Sequence, residues 1–263
     1  RGTRSGVSHG MSLKLYHHDA STCSQKVRIC LAEKGVKWIG HHVDLTQGEN
    51  LEADFLAINP NGVVPAFVHD GTPIIESTVM CEYVDEVWTD GAGLTPEDPK
   101  KRAEMRSWLR YIDEVPSMAV RVPTFQNLLI DRFKAMSEDE YAEFRDSNTL
   151  RRDFFMRLNR TGFSDEEYEN SLLQLRATIE RMEAALAQNG PWIIGVQFTI
   201  ADICMAPLFQ RMEDLGMSNI WDDAHHVAEW FDGVKARPSY DVAFYPGSRM
   251  TDLFPQLRKT AQD

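Results

Sequence analysis

The stretch HHDASTCSQKVR, His17 to Arg28, places Ser21, Thr22, Cys23 and Ser24 where an alternating strand gives way to a helix. A thiol or hydroxyl in that turn faces the open end of a sheet and sits at the positive end of the helix dipole. A cysteine so placed drops from a pKa of about 8.5 into the range of roughly 3.5–7.5, which makes its sulfur a nucleophile at neutral pH. The anion helped in this way is either the sulfur of Cys23 or the sulfur of a bound thiol touched by Ser21 or Ser24. The plainer alternative is a polar turn that ends in a helix cap.

Two further stretches suit a peptide-like ligand. In VVPAF, Val63 to Phe67, proline opens an apolar strand, a position open to it only at an edge or first residue. A cis Val64–Pro65 bond would make the turn rigid. The Val64 backbone is then free to pair with an extended peptide, strand to strand; the plainer reading is a strand stop. Glu76-Ser77 stands at a strand end and helix start. Ser77 is a candidate N-cap, the free N–H groups behind it suit a carboxylate, and Glu76 suits an ammonium group. The pair would hold both charges of an amino acid, or else only cap a helix.

Other motifs read as structural. Thr199 and Asp202 form a capping box ahead of an apolar run. The acidic runs SEDEYAEF and SDEEYEN read as helix starts with acids in the first turn. His17–His18, His41–His42 and His225–His226 are adjacent pairs. Neighbours on a strand face opposite sides, so no metal site is expected.

The elements that must position these residues follow from periodicity. LKLYHH from Leu13 alternates as a strand, and SQKVRICLAEKG follows as a helix with Val27, Cys30 and Leu31 on one face and Gly35 as its cap. KWIGHHVDL, residues 37–45, reads as a second strand; so short a crossover predicts a parallel pair. LEADFLAINPNG is a short helix stopped at residues 59–62, and VVPAFVHDGTPIIES is two strands about Asp70-Gly71. STVMCEYVDEVW is a helix with Val79, Tyr83 and Val87 sharing a face. TDGAGLTPEDP is the best linker in the chain, and only helical patterns follow it. The prediction is an α/β unit over residues 11–89, a linker over 90–99 and an all-helical unit over 100–263. Residues 1–10 lack the apolar stretch of a signal peptide and read as an appended remnant or a disordered extension.

Bulk properties narrow the function. The chain has 263 residues, 43% hydrophobic and 26% charged, which supports a sizeable core. Its formal charge of −12 repels phosphate backbones, so no nucleic-acid partner is expected. No apolar run reaches membrane-spanning length. Cys23, Cys30, Cys81 and Cys204 form no CxxC pair, which fits a reducing, cytoplasmic setting.

Taken in order, βαβαββα, the linker, the helical second half, VVPAF, ES and TIAD resemble the glutathione transferase superfamily over about residues 11–244. The resemblance implies an N-terminal thioredoxin-like domain that binds glutathione, followed by an all-helical glutathione-transferase domain, usually in a homodimer. It implies that Val64, before a cis Pro65, pairs with the cysteinyl backbone of glutathione, and that Glu76 and Ser77 hold its γ-glutamyl end. Ser21-Thr22-Cys23-Ser24 before Val27-Arg28 resembles the serine/cysteine turn of zeta-like classes, in which Ser21 stabilises the glutathione thiolate. HDGTPIIESTVMCEYVDEV, DPKKRAEMRSWLRYIDE and an insertion from about Phe125 to Phe163 resemble the bacterial β-etherase-like branch.

The activity implied is attack of the glutathione thiol, aided by Ser21 or Ser24, on a small hydrophobic electrophile, with aryl-ether cleavage as one form. Rival readings are a thiol reductase or lyase acting through Cys23, a glutathione-dependent isomerase, and a non-catalytic glutathione-binding scaffold. From their position, His18, Trp108, Tyr111 and Phe125 are expected to line the second-substrate pocket.

Overall fold

A computed structural model of the chain describes residues 13–257; the proposed extension at residues 1–10 lies outside them. Strand β1 (Leu13–His17), helix α1 (Thr22–Glu33) and strand β2 (Ile39–His42) form the first βαβ unit, with β1 and β2 parallel. The short α2 (Ala53–Leu56) leads to β3 (Ala66–His69) and β4 (Thr72–Ile74), which run antiparallel. The sheet order is β2-β1-β3-β4, and α3 (Ser77–Val87) closes the unit. The β3–β4 turn has positive φ at both Asp70 and Gly71, as a tight hairpin of this kind requires.

The remainder is helical. Helix α4 (Pro99–Glu114) starts at an Asp98 cap. Short helices α5 (Pro116–Ala119), α6 (Arg121–Thr124), α7 (Ile130–Lys134), α8 (Glu138–Ser147) and α9 (Arg152–Leu158) follow, then the long α10 (Asp165–Asn189). Helices α11 (Ile200–Asp214), α12 (His225–Lys235), α13 (Pro238–Ala243) and α14 (Met250–Leu253) complete the unit. Both acidic runs start helices: Ser137 and Glu140 form a capping box, and Ser164 caps Glu167. Asp202 fixes α11 by accepting from the backbones of Thr199 and Ile193 and from Trp230 Nε1 at 2.9–3.0 Å. Among the described residues no helix is long and apolar enough to cross a membrane.

Two expectations need correction. Val79 and Val87 are exposed on α3, and the buried face is instead Ser77, Met80, Cys81 and Val84, which pack toward α1 and α11. The stretch read as a linker is not free of the core, because Leu94 is buried in it and its carbonyl accepts from Ile200 N–H at 3.0 Å.

Helix α1 packs against α3, α11 and α13, so every residue from Ser24 to Leu31 is buried. Two of these are cations. Lys26 is paired with Asp113 of α4 at 2.9 Å. Arg28 donates to the carbonyls of Ala243, His18 and Asp19 and to His17 Nδ1 at 3.2 Å. A guanidinium has no acceptor, so Nδ1 of His17 is unprotonated and the neutral ring carries its proton on Nε2.

Burial, and next the Arg28 charge, lower the His17 pKa from 6.5 to about 4. The unfolded chain therefore binds the extra proton first as pH falls, so this contribution to stability is full above pH 6.5 and is lost toward pH 4. Urea unfolding should show His17 destabilising the protein by roughly 2 kcal/mol between pH 6.5 and pH 5. A His17→Gln variant should lose less stability than wild type over that interval.

Candidate active site

The turn at the start of α1 is tied by two serines. Ser21 is the N-cap, and its Oγ accepts the Ser24 N–H at 3.3 Å. Ser24 Oγ accepts the His18 N–H at 3.4 Å. Ser24 is fully buried and lines neither of the two cavities at this turn. An approach of Ser24 to an incoming sulfur therefore has no support in the geometry, because its side chain closes the turn. Ser21 and Thr22 do open onto a cavity, beside Cys23.

Cys23 lines both cavities. The smaller, about 360 Å³, gathers Val64, Pro65, Glu76, Ser77 and Cys23 from three separate stretches of the chain. The Val64–Pro65 bond is cis. Val64 precedes the β3 ladder, and its N–H and C=O have no hydrogen-bond partner among the described residues. The loop carrying it is pinned by Asn59 Nδ2 to the Val63 carbonyl and by Asn50 Nδ2 to the Gly62 carbonyl, both at 2.7 Å. At the start of α3 the N-cap is Glu76 rather than Ser77, and Glu76 has φ of 71°. A glutamate in the left-handed region is strained, and such residues concentrate where a side chain has to be aimed. Its carboxylate accepts from Asn61 Nδ2 at 3.4 Å.

Burial pushes the Cys23 thiol up. The charges of Lys26, Arg121 and Arg151 and a hydrogen bond from Ser77 outweigh that push, so its pKa lies below the ordinary thiol value. Lys26 lies one turn behind the sulfur. Burial works against its charge, yet the Cys23 sulfur and Asp113 keep it protonated, with its pKa raised. Cys81 and Cys204 are buried with pKa values well above the ordinary one. Cys23 is thus set apart as the thiol poised for ionisation.

The larger cavity, about 560 Å³, is bounded by His18 and Ser21 on one side and by Phe125, Phe133, Phe144 and Phe155 on the other. These rings belong to a cluster formed by the insertion, with Phe144 and Phe155 edge-to-face at 4.8 Å. Helix α14 closes one wall, its start held by Met250 N–H to Asp214 Oδ2 at 3.0 Å.

His18 and Phe125 line this cavity, whereas Trp108 and Tyr111 do not. Both belong with the main core, where Tyr111 Oη bonds Thr178 Oγ1 at 2.8 Å and the Arg181 guanidinium lies over both rings. They are apolar-face residues of α4, which packs inward on α11.

Sequence reasoning missed Lys26, Arg121, Arg151 and Arg211. Burial lowers the Arg151 guanidinium to about 10, with the Arg121 charge acting in the same direction. Burial also lowers Arg211 to about 10. A lysine inside the KVRICL run was the one available signal for the first of these.

Family comparisons agree with the geometry. The N-terminal domain of glutathione S-transferases matches residues 20–87, and their C-terminal domain matches residues 165–233. Protein LigF of Sphingobium sp. (strain NBRC 103272 / SYK-6) is 30% identical over 260 residues, 95% of this chain and all of that protein. The crystal structure of beta-etherase LigF superposes with a TM-score of 0.81 over 89% of this chain and 99% of that one. Glutathione S-transferase 3 of Glycine max is 41% identical over 247 residues, covering 92% of this chain and 94% of that protein. The tetrachloro-p-hydroquinone reductive dehalogenase of Sphingobium chlorophenolicum is 26% identical over 239 residues, 88% and 95% of the two chains.

Native alkylation with iodoacetamide, read by mass spectrometry, should label Cys23 ahead of the three buried cysteines. Its rate should rise at a lower pH than that of a free thiol, near 8.5. Ser77→Ala removes a donor to the thiolate and should move the profile to higher pH. A Cys23 profile coincident with that of free cysteine would refute the reading of this thiol.

Proposed function

The chain belongs to the glutathione S-transferase family, and from that premise we propose that it ionises the thiol of glutathione and directs it at an electrophilic carbon of an aromatic substrate. The observation that carries this is the smaller cavity, which holds an unpaired strand-like backbone at Val64, the Glu76-Ser77 pair and the α1 turn. Those three features correspond to the cysteinyl backbone, the γ-glutamyl end and the sulfur of one tripeptide. Glutathione is the co-substrate of the family. In this arrangement its sulfur lies at the start of α1, within reach of the Ser21 hydroxyl and in the field of Lys26, Arg121 and Arg151.

The larger cavity then takes the electrophile, with its ring against the phenylalanines. The relationship to LigF supports an ether-bearing carbon, from which attack by sulfur displaces phenolate; a halogen-bearing carbon would lose halide in the same way. Lowering the thiol pKa by about two units is worth about 2.7 kcal/mol of thiolate stabilisation. Holding sulfur and carbon in line contributes further. Conjugation should be measured against an aryl ether and a haloaromatic. Glu76→Ala with Ser77→Ala is expected to lower kcat/KM by roughly 100-fold, on the scale of lost positioning. Rates in that variant equal to wild type would sink the assignment of the glutathione site.

A second reading is favoured by one specific observation, the depressed pKa of Cys23 at the meeting of both cavities. The Cys23 thiolate would attack one sulfur of oxidised glutathione, breaking its S–S bond to form a mixed disulfide and release glutathione thiolate. The name of the reductive dehalogenase relative is in keeping with thiol redox chemistry. Incubation with oxidised glutathione should leave a glutathione adduct on Cys23, and an unmodified Cys23 would count against this route. A scaffold without glutathione would give no heat on calorimetric titration and no shift in melting.

A further inference from the structure

Four guanidiniums, those of Arg121, Arg132, Arg151 and Arg211, line the larger cavity of a chain whose net charge is −12. The two carboxylates on the same lining are already engaged. Asp19 accepts from Tyr245 Oη and lies 3.3 Å from His42 Nε2, and Asp44 accepts from the Thr46 backbone and hydroxyl and from Gln47 N–H. Arg211 is spent on the Ala20 carbonyl and Thr124 Oγ1, and Arg132 on the Thr46 carbonyl.

Arg151 and Arg121 remain. The Arg151 guanidinium makes no hydrogen bond or ion pair among the described residues, its backbone N–H alone donating to the Asn148 carbonyl at 2.9 Å, and the Arg121 guanidinium reaches only the Met118 sulfur at 3.1 Å. The two lie close enough for the charge of one to act on the other, and both act on Cys23. Neighbouring like charges in a partly dried cleft, neither of them in direct contact with a carboxylate and only the Cys23 sulfur acting on Arg151 in the opposite sense, raise the free energy of the empty protein. An anion placed between them relieves that cost and offers a planar fork its natural partner. Phe125, Phe133, Phe144 and Phe155 supply the apolar wall for the rest of the same ligand.

We propose that the substrate held in the larger cavity is an aromatic carboxylate, its anionic group bound by Arg121 and Arg151 and its ring by the phenylalanine wall. The inference rests on the reading of that cavity as the electrophile site and adds a charge requirement to it. The same carboxylate chemistry is also present in the glycine end of glutathione, because both arginines reach the smaller cavity as well.

A matched, unreactive pair separates these sources. Binding of 2-naphthoate and 2-naphthamide to the full chain is to be measured calorimetrically, alone and with saturating S-methylglutathione. The acid is expected to bind at least 10-fold more tightly than the amide under both conditions, and to weaken selectively as sodium chloride is raised. In Arg151→Met and in Arg121→Met/Arg151→Met the acid is expected to fall to the level of the amide. Equal binding of acid and amide to the wild type overturns the proposal whatever the fate of the variants. A preference that vanishes when S-methylglutathione is bound assigns the arginines to glutathione and overturns it too, as does a preference that survives in the double variant. An intact preference with no heat from S-methylglutathione supports the anionic pocket while counting against the glutathione reading itself.

Discussion

The buried ammonium of Lys26 is the constraint around which the site is arranged. Helix α1 is enclosed by α3, α11 and α13, so a lysine in its middle cannot reach water. Its charge persists because Asp113 meets it at 2.9 Å, while the second oxygen of that carboxylate accepts from Thr78 Oγ1 at 3.0 Å. One carboxylate on α4 thereby fixes α1 and α3 relative to each other. These are the helices whose first turns carry Cys23 and Ser77. The ion pair is a positional device before it is a source of stability, since burying charge costs much of what the pairing returns.

The electrostatics of the cleft follow from the same arrangement. A thiol enclosed by protein would ordinarily resist ionisation, and here three cations and one hydroxyl reverse that tendency. The cations come from three places: Lys26 from α1, Arg121 from α6, and Arg151 from the turn before α9. Tuning of the sulfur therefore depends on the helical part being seated on the sheet-bearing part. A thiolate placed there, whether of Cys23 or of a ligand, is a property of the assembled fold and not of either part alone.

Much of this was legible in the chain. Alternation, turn residues and caps are local signals, and they located β1 through α3, the Asp70-Gly71 hairpin and the capping box at Thr199. VVPAF and Glu76-Ser77 were legible for the same reason, since a proline at a strand start and an acid at a helix start each carry a local meaning. What was not legible depends on tertiary placement. Ser21, Cys23 and Ser24 are indistinguishable by spacing, yet the helix turn sends Ser24 inward and leaves Cys23 at the cavities. Trp108 and Tyr111 have the right neighbours in sequence but lie on the face of α4 that packs inward. The arginines carry no local signal of their own, and their meeting near Cys23 has no periodic signature.

The phenylalanine cluster of the insertion is a hydrophobic core of its own, distinct from the large one shared by the sheet and the long helices. Mutational effects at sites without common partners are close to additive. Rings in this small core share no partner with the Lys26–Asp113 pair, whereas Arg121 and Arg151 border the same cavity and act on Cys23. One half of the cleft is thus held by a buried ion pair and the other by packed rings. On the proposed reading, drift within α7 to α9 would reshape the aromatic wall, while a change at Arg121 or Arg151 would alter the field at the sulfur as well.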